Sequence, residues 1–410
     1  MSEIIVLGAG MVGIGTALAL QSRGHDVTVI DRRGPGEETS HGNAGIIQTE
    51  AAEPYAFPRD PRVMLRYLAG RDNDLRYALP ALLRMAPSLA RYWQNSSPGH
   101  HARISLRYAK LTSRATTDHG PLIDAAGLEP MIRRDGFNEI FRSTAAFDAR
   151  TAYAARMAES FGIPYLVQGP DTFCIDEPGF RTRMAGAIRW TGAWSCADPG
   201  GLVRGYANLL MQRGGRIIKG DANEVAAAGA GWRLGPTQAE HVVVCLGPWS
   251  PQLLARFGYR VSMLRKRGYH RHFKAAAPVN RPFVDTDNGV VLSPMRAGLR
   301  MSSGAALVDM DAPSDPAQLG RAEKALRHDI ELGTRAAPEP WFGHRPCLPD
   351  MLPLTGPLPR HTGLWANFGH GHQGFTLGPT TGTLLAEAMA GEGDTLHAAL
   401  APENRPFAIR

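Results

Sequence analysis

The first 31 residues leave this chain little freedom in what it can fold into. Ile4, Ile5, Val6 and Leu7 form an unbroken apolar run, the pattern of a strand buried on both faces. Gly8-Ala9-Gly10-Met11-Val12-Gly13 follows at once, then a helical run to Arg23, a second apolar strand over 27–30, and Asp31. The three glycines of G-x-G-x-x-G spacing each have a mechanical task. One makes a tight turn, one lets the backbone approach a pyrophosphate, and one allows close packing of helix on strand. The helix that follows aims its free N–H groups and partial positive charge at the phosphates. Asp31 stands 18 residues after Gly13, where a carboxylate accepts hydrogen bonds from a ribose diol. A lone glycine triplet can be a chance turn. Strand, glycines, helix, strand and terminal acid in this order predict a dinucleotide site. Asp31 disfavours a 2′-phosphate, and therefore NADP; Arg32 and Arg33 read as a solvated turn.

The chain has 410 residues, enough for two domains and an ample core. No apolar run approaches the roughly 20 residues of a membrane span. A first strand starting at Glu3 or Ile4 leaves no room for a signal peptide. Cys174, Cys196, Cys245 and Cys347 lie far apart with no C-x-x-C pair, so neither a zinc site nor a disulfide framework is expected, and a reducing cytoplasm is the expected compartment. The net charge of +7 suits an anionic substrate or a peripheral contact with the inner, anionic face of a membrane. A generic basic surface is the simpler account. No basic run interleaved with aromatics marks a nucleic-acid site.

Beyond Asp31 lies a Gly/Pro loop, then Thr39-Ser40-His41-Gly42-Asn43-Ala44-Gly45-Ile46-Ile47, whose small residues suit a backbone pressed against a flat ligand. From Pro54 to Pro98, prolines punctuate short apolar pieces, an excursion out of the first domain. Residues 106–126 and 145–160 read as helices. Asp198-Pro199 is an N-cap followed by proline at the first helical position, and Gly214-Gly215 ends that helix. A strand over 216–219 and a buried one over 241–246 restore β-α-β logic after a gap, so the dinucleotide domain is discontinuous. A second excursion carries strand-like pieces at 264–273, 289–292 and 299–302 and a helix near 318–331. The closing segment runs through 364–368 into a helix expected from about Pro379 and stopped by Gly391.

Read from both ends, the chain resembles the D-amino acid oxidase superfamily of FAD-dependent oxidoreductases, with D-amino acid dehydrogenases of the small-subunit type the nearest branch. The resemblance rests on five blocks: Gly8–Gly13; Thr39-Ser40 with Asn43-Ala44-Gly45; Cys245-Leu246-Gly247-Pro248-Trp249-Ser250; Gly343-His344-Arg345-Pro346 with Pro349-Asp350; and Gly369-His370-Gly371 with Gly374-Phe375-Thr376. It implies an α/β fold in which a Rossmann-like FAD-binding domain (1–53, 195–255 and 338–410) is interleaved with an α+β, mixed-sheet substrate domain (54–194 and 256–337). Gly8, Gly10, Met11, Val12 and Gly13 would hold the FAD pyrophosphate, Asp31 the adenosine ribose, and the backbone near Val225 the adenine, with Arg32 also among the cofactor-binding residues. Ser40, Asn43, Ala44, Gly45, Ile46, Gly247 and Trp249 would line the cofactor. Gly371, Gly374, Phe375 and Thr376 would lie at the pyrimidine end of the ring, where a helix N-terminus stabilises negative charge.

The implied substrate is an amino acid, oxidised at Cα by hydride transfer, with cyclic imino acids of the D-proline type included. Arg345 is the expected carboxylate anchor, because its fork grips two oxygens at once. The competing reading pairs it with a structural acid such as Asp350. Tyr269, His372 and Gln48 are the other candidate catalytic residues, with His370 and His41 as further polar groups near the ring. Histidines at 370 and 372 without a nearby carboxylate pair do not make a metal site. The basic run Arg265, Lys266, Arg267, His270, Arg271 and His272 reads as a solvated strand, Tyr269 excepted. Three departures from relatives matter. Ser303-Gly304-Ala305-Ala306 replaces an expected Gly-Thr-x-Glu. Cys347 is misplaced for a covalent flavin link, so FAD is expected to be non-covalent. His372-Gln373 between Gly371 and Gly374 favours a dehydrogenase that passes electrons to a quinone or another carrier. A glycine- or sarcosine-type oxidase making peroxide, or a non-catalytic flavoprotein subunit, are the alternatives.

Overall fold

A computed structural model describes residues 1–68, 70 and 73–410; Ala69, Arg71 and Asp72, within the proline-punctuated excursion, lie outside the described residues. Two sheets organise the chain. The first has six strands in the order Arg216–Lys219, Asp26–Asp31, Glu3–Leu7, His241–Val244, Leu364–Phe368 and Leu354–Pro357. All neighbours are parallel except the last pair. Ile4, Ile5, Val6 and Leu7 are at most 1% exposed, as a strand covered on both faces requires. The strand Arg216–Lys219 takes its place beside Asp26–Asp31 although 185 positions separate Asp31 from Arg216.

The second sheet is large and mixed, and is built around Leu264–Lys274. That strand pairs antiparallel with Gly298–Ser303, Ala305–Leu307, Thr334–Arg335 and Trp341–Cys347. Parallel pairs occur at Phe283–Asp285 with Phe137–Phe141, and at Ala305–Leu307 with Leu75–Tyr77. The α/β class and the mixed second sheet agree with the sequence reading. The solvated basic strand does not. Arg267 is fully buried and Arg271 only 7% exposed. Arg267 is met on every side, whereas Arg271 is held by an ion pair and keeps a buried Nε without a partner. Arg267 donates to Asp309 O, Met310 O and Pro313 O, and Arg271 to the Glu323 carboxylate.

The helix expected over 106–126 is two helices, Pro98–Thr112 and Ala115–Ala125, meeting at Ser113-Arg114. The Asp198 side chain accepts from Gly201 N at 2.8 Å and caps Pro199–Gln212 as expected. The closing helix begins at Gly374, not Pro379, and runs to Met389. Proline inside a helix orphans the carbonyl four residues before it, here that of Phe375. His119 Nε2 lies 3.1 Å from Phe375 O and 3.2 Å from Thr376 O and replaces the missing donor. Its Nδ1 meets the Tyr206 hydroxyl at 2.9 Å. Burial pushes His119 down to about 4, so it stays neutral in that role.

The closing helix crosses Met11–Ser22 at very close range. A Cβ on Gly15 would stand 2.8 Å from Gly378 C, and one on Gly382 would stand 2.7 Å from Gly15 C. Glycines on both helices thus bring the two ends of the chain together, with both helix N-termini facing the same side. Among the described residues no helix is long and apolar enough to cross a membrane.

Candidate active site

A cavity of about 450 Å³ opens at the carboxyl ends of the parallel strands and runs to the large sheet. In open α/β sheets this is where ligands bind. The first glycine turn forms one end. A Cβ on Gly8 (φ +105°) would stand 2.7 Å from Cys245 O, and one on Gly13 only 1.8 Å from Gly8 O. Those two glycines close the turn on the strand and on itself. Gly10 differs: it lines the cavity, and only Ser40 Oγ, at 3.3 Å, would meet its Cβ. Met11 N donates to Ser40 Oγ at 3.0 Å. Asp31 also lines the cavity. Its carboxylate accepts from Ala9 N (2.9 Å), Arg33 N (2.8 Å) and Gly34 N (2.9 Å), which fixes it at the wall. A carboxylate has about four acceptor positions, so one remains for a ligand hydroxyl. Arg32 stands 4.5 Å over the Trp249 ring and pairs with Glu38 at 2.6 Å. Gly10, Met11, Ser40, Asp31 and Arg32 therefore share one wall of the cavity.

Met11, Val12, Arg32, Ser40, Asn43, Ala44, Ile46, Gly247, Trp249, Gly371, Gly374 and Phe375 all line this one cavity. Four other expected positions stand behind its wall. Gly13 packs on Gly8. Gly45 (φ +73°) faces Cys196 O, which a Cβ would meet at 2.4 Å. Val225 is buried, and the wall there is Asp221, Ala222 and Asn223. Thr376 ties strand to helix through Gln48 N (3.3 Å) and Ile46 O (3.4 Å).

At the far end the cavity meets the large sheet. Arg345 and Lys266 are register partners, as are Gly343 and Gly268. A Cβ on Gly268 would come within 2.5 Å of the Arg345 guanidinium, so that glycine is what gives the guanidinium room. Arg345 donates to Gly304 O (2.9 Å) and Ser303 O (3.1 Å). Among the described residues no carboxylate lies within 4 Å of it. Asp350, its alternative partner, is held by Arg405 at 2.5 and 2.8 Å. Burial holds the Arg345 pKa below the usual guanidinium value. The other residues that line this end are uncharged, while the Lys266 ammonium bears on His372 from the adjoining cavity beside Tyr55. Val284 and Val291 form an apolar wall, beside Tyr55, Tyr269, Ser302 and Ser303. Tyr269 presents its ring while its hydroxyl accepts from Asp315 N at 3.0 Å. His372 is pushed well below its usual value by burial, with the Arg345 cation adding to the effect, and its ring lies 5.2 Å from that of Tyr55. Gln48 lines the cavity and links Glu50 to Gln373.

His370 also lines the cavity, with Nε2 2.8 Å from the Thr381 hydroxyl; His41 does not. No group of His, Cys, Asp and Glu among the described residues can hold a metal ion. The sequence reading missed Tyr55, Gly268, Val284 and Val291. A lone tyrosine among prolines, and two valines on separate strands, give no local signal. Gly268 inside a run of bulky residues was the one available cue.

A glycine-turn cavity at the sheet's carboxyl ends, continuous with a half-buried arginine, is a place for a dinucleotide with a cation at its far end. The model of the family described as "FAD dependent oxidoreductase" matches residues 3–388, and the chain belongs to that family and uses FAD. Its similarities to individual proteins run the full length. It is 29% identical to a D-amino acid dehydrogenase of Cereibacter sphaeroides over 97% of this chain and 94% of that one. It is 26% identical to a D-amino-acid oxidase of Bradyrhizobium diazoefficiens over 95% of each. Among solved structures, glycine oxidase from Geobacillus kaustophilus aligns with a TM-score of 0.69 at 19% identity, over 97% of both chains. L-proline dehydrogenase from P. horikoshii aligns with a TM-score of 0.65 at 16% identity, over 99% of this chain and 98% of that one. These two likenesses are of fold.

Proposed function

We propose that the chain is a D-amino acid dehydrogenase that holds FAD non-covalently and hands electrons to a quinone or another non-oxygen carrier. The observation that carries the reading is Arg345, a half-buried guanidinium with no acid in reach among the described residues, at the end of the cavity that begins with the glycine turn. A cation so placed favours an anionic ligand. FAD, when bound, supplies the acceptor for the hydride that leaves the substrate Cα.

The residues divide the work. Gly10 and the N–H groups that open the helix after it hold the pyrophosphate, and Asp31 takes the ribose. Asn43, Ala44, Ile46, Gly371, Gly374 and Phe375 give the ring a close-packed bed. The N-terminus of Gly374–Met389 supplies fixed partial positive charge that needs no rearrangement. Arg345 grips the substrate carboxylate through its remaining N–H groups and so orients Cα. Tyr269, His372 and Gln48 flank the substrate; His372, kept neutral, adds no competing charge. With Val284, Val291 and Tyr55 as walls and no acid among them, the side chain accepted is uncharged, D-proline-type imino acids included. Cys347 does not line this cavity, and burial raises its thiol pKa, which supports non-covalent FAD. We assign 1–53, 195–255 and 338–410 to the cofactor domain and 54–194 and 256–337 to the substrate domain. The basic surface is suited to peripheral contact with an anionic membrane.

The test is anaerobic bleaching of the purified protein with a panel of D- and L-amino acids and N-methyl amines. Bleaching by uncharged D-amino acids, with turnover dependent on a dye acceptor, is expected. Peroxide formation in air with no gain from dye would favour a glycine-type oxidase, the reading that the D-amino-acid oxidase relative keeps in play. A yellow protein that no amine bleaches would favour a non-catalytic subunit.

A further inference from the structure

The helix Leu79–Asn95 is apolar on two opposite sides. Its inner side buries Ala81 and Tyr92 and half-buries Leu82, Met85 and Leu89. Its outer side is a stripe at alternating spacings of four and three residues: Leu79, Leu83, Ala86, Ala90 and Trp93, every one of them exposed. Leu79 and Leu83 are 62% and 67% exposed. The helix before it, Pro61–Leu68, buries none of its residues and exposes Leu65 and Leu68, one turn apart. The Tyr77 hydroxyl donates to Leu68 O at 2.8 Å and so brings that end beside the start of Leu79–Asn95. Exposed leucines gathered on neighbouring helices, rather than scattered singly, mark a surface that something covers.

The positive charge of the chain is concentrated in the same stretch. Residues 54–112 hold ten Lys and Arg against three Asp and Glu, a net +7, which is the net charge of the whole chain. The helix Pro98–Thr112, packed against Leu79–Asn95, exposes Arg103, Arg107 and Lys110. None of these three is in an ion pair among the described residues. Arg59 stands 3.8 Å over the Trp93 ring and donates to Trp93 O at 2.7 Å.

We propose that the outer stripe of Leu79–Asn95, with the cations around it, docks on an anionic phospholipid bilayer. Leucines and a tryptophan set among free cations match acyl chains lying under negative headgroups. Charge argues against a second copy as the occupant. A two-fold contact sets a face against itself, and here that would bring two strongly basic segments together.

The docking helix also reaches the cavity. Trp93 is exposed on its outer side, while Tyr92, on the inner side, donates through its hydroxyl to Tyr55 O. Phe57 N donates to Ser96 Oγ at 2.8 Å. Tyr55 lines the active-site cavity. The helix that meets the bilayer thus holds the segment that walls the cavity. Only the consequence of this rests on the dehydrogenase reading: a lipid-soluble quinone would be met beside the site that reduces it.

The test is co-sedimentation of the purified protein with vesicles of phosphatidylcholine, with and without phosphatidylglycerol. Binding should require phosphatidylglycerol and weaken as salt rises. The exposed pair Leu79→Ser/Leu83→Ser should bind about tenfold more weakly, and Arg103→Gln/Arg107→Gln about tenfold or more, with melting temperatures unchanged. Ile175→Ser, at an exposed apolar position on Pro170–Asp176, should bind as wild type. Equal binding to both vesicles, or wild-type binding by Leu79→Ser/Leu83→Ser, overturns the proposal. No binding to either vesicle overturns it in favour of an acidic protein partner, and a dimer that Leu79→Ser/Leu83→Ser dissolves overturns it in favour of a second copy. In a second arm, turnover with a long-chain quinone carried in the vesicles should fall severalfold in Leu79→Ser/Leu83→Ser while turnover with a soluble dye is unchanged; an equal fall in both would refute the link to the cavity. Vesicle binding needs no substrate, so a protein that no amine reduces would refute the functional reading and leave the first arm to decide the surface.

Discussion

Arg345→Ala separates an anchoring role from a structural one. The guanidinium has five N–H donors, and the contacts to Gly304 O and Ser303 O use two of them. With no carboxylate within 4 Å among the described residues, a bidentate grip on a substrate carboxylate remains open to it. Losing a charge-assisted bidentate contact costs about 2–4 kcal/mol, roughly 30- to 1000-fold in apparent substrate affinity. The substitution also strips two carbonyls of their donor, at about 1–3 kcal/mol of stability if no water replaces it. Both effects are expected, and they are separable. Flavin content should persist, the melting temperature should fall by a few degrees, and the Michaelis constant in anaerobic reduction should rise by one to three orders of magnitude. Arg345→Lys should recover stability better than affinity, because an ammonium cannot fork. An unchanged Michaelis constant in the alanine variant would refute the anchor. So would an equal loss for a substrate analogue that has no carboxylate.

Other positions give equally definite expectations. Asp31→Asn should weaken FAD binding by about 1.5–3 kcal/mol, read by fluorescence titration of the apoprotein, with a lowered melting temperature because the Ala9, Arg33 and Gly34 N–H groups lose a charged acceptor. Gly382→Val should prevent folding or cost about 3 kcal/mol or more, since a Cβ there meets Gly15 backbone at 2.7 Å; Gly320→Ala, in an open helical position, should be neutral or stabilising by up to about 1 kcal/mol. His119 has a folded-state pKa near 4, below its ordinary 6.5. Its contribution is therefore present above pH 6.5 and is lost as pH falls toward 4, by up to about 3 kcal/mol. A His119→Gln variant should show a shallower acid decline in melting temperature; an identical decline would refute the neutral-donor role.

What the sequence made legible was local. The strand, glycine turn, helix and acid of residues 4–31 form one short-range unit whose parts all point to one geometry, with Gly8 and Gly13 closing the turn and Gly10 on the cavity wall. What escaped was set by distant partners. The start of the closing helix depends on His119, which lies over 250 positions away and serves the carbonyl that Pro379 orphans. The basic strand reads as solvated until the 309–313 loop is seen to wrap Arg267 in carbonyls. Asp350 looked like a partner for Arg345 because they are five apart, but Arg405, 55 residues on, takes it. Gly15, Gly378 and Gly382 drew no reading from the sequence, and Gly378 fell before the expected start of the closing helix. Only packing revealed that they join the chain's two ends.

That junction is the central claim, and a crystal structure of the FAD-loaded protein tests it most directly. The expected density places the pyrophosphate at Gly10 and Met11 and the isoalloxazine against Gly371 to Phe375, with Arg345 beside the ring. A flavin bound elsewhere, or a cavity that stays empty in saturating FAD, would contradict it.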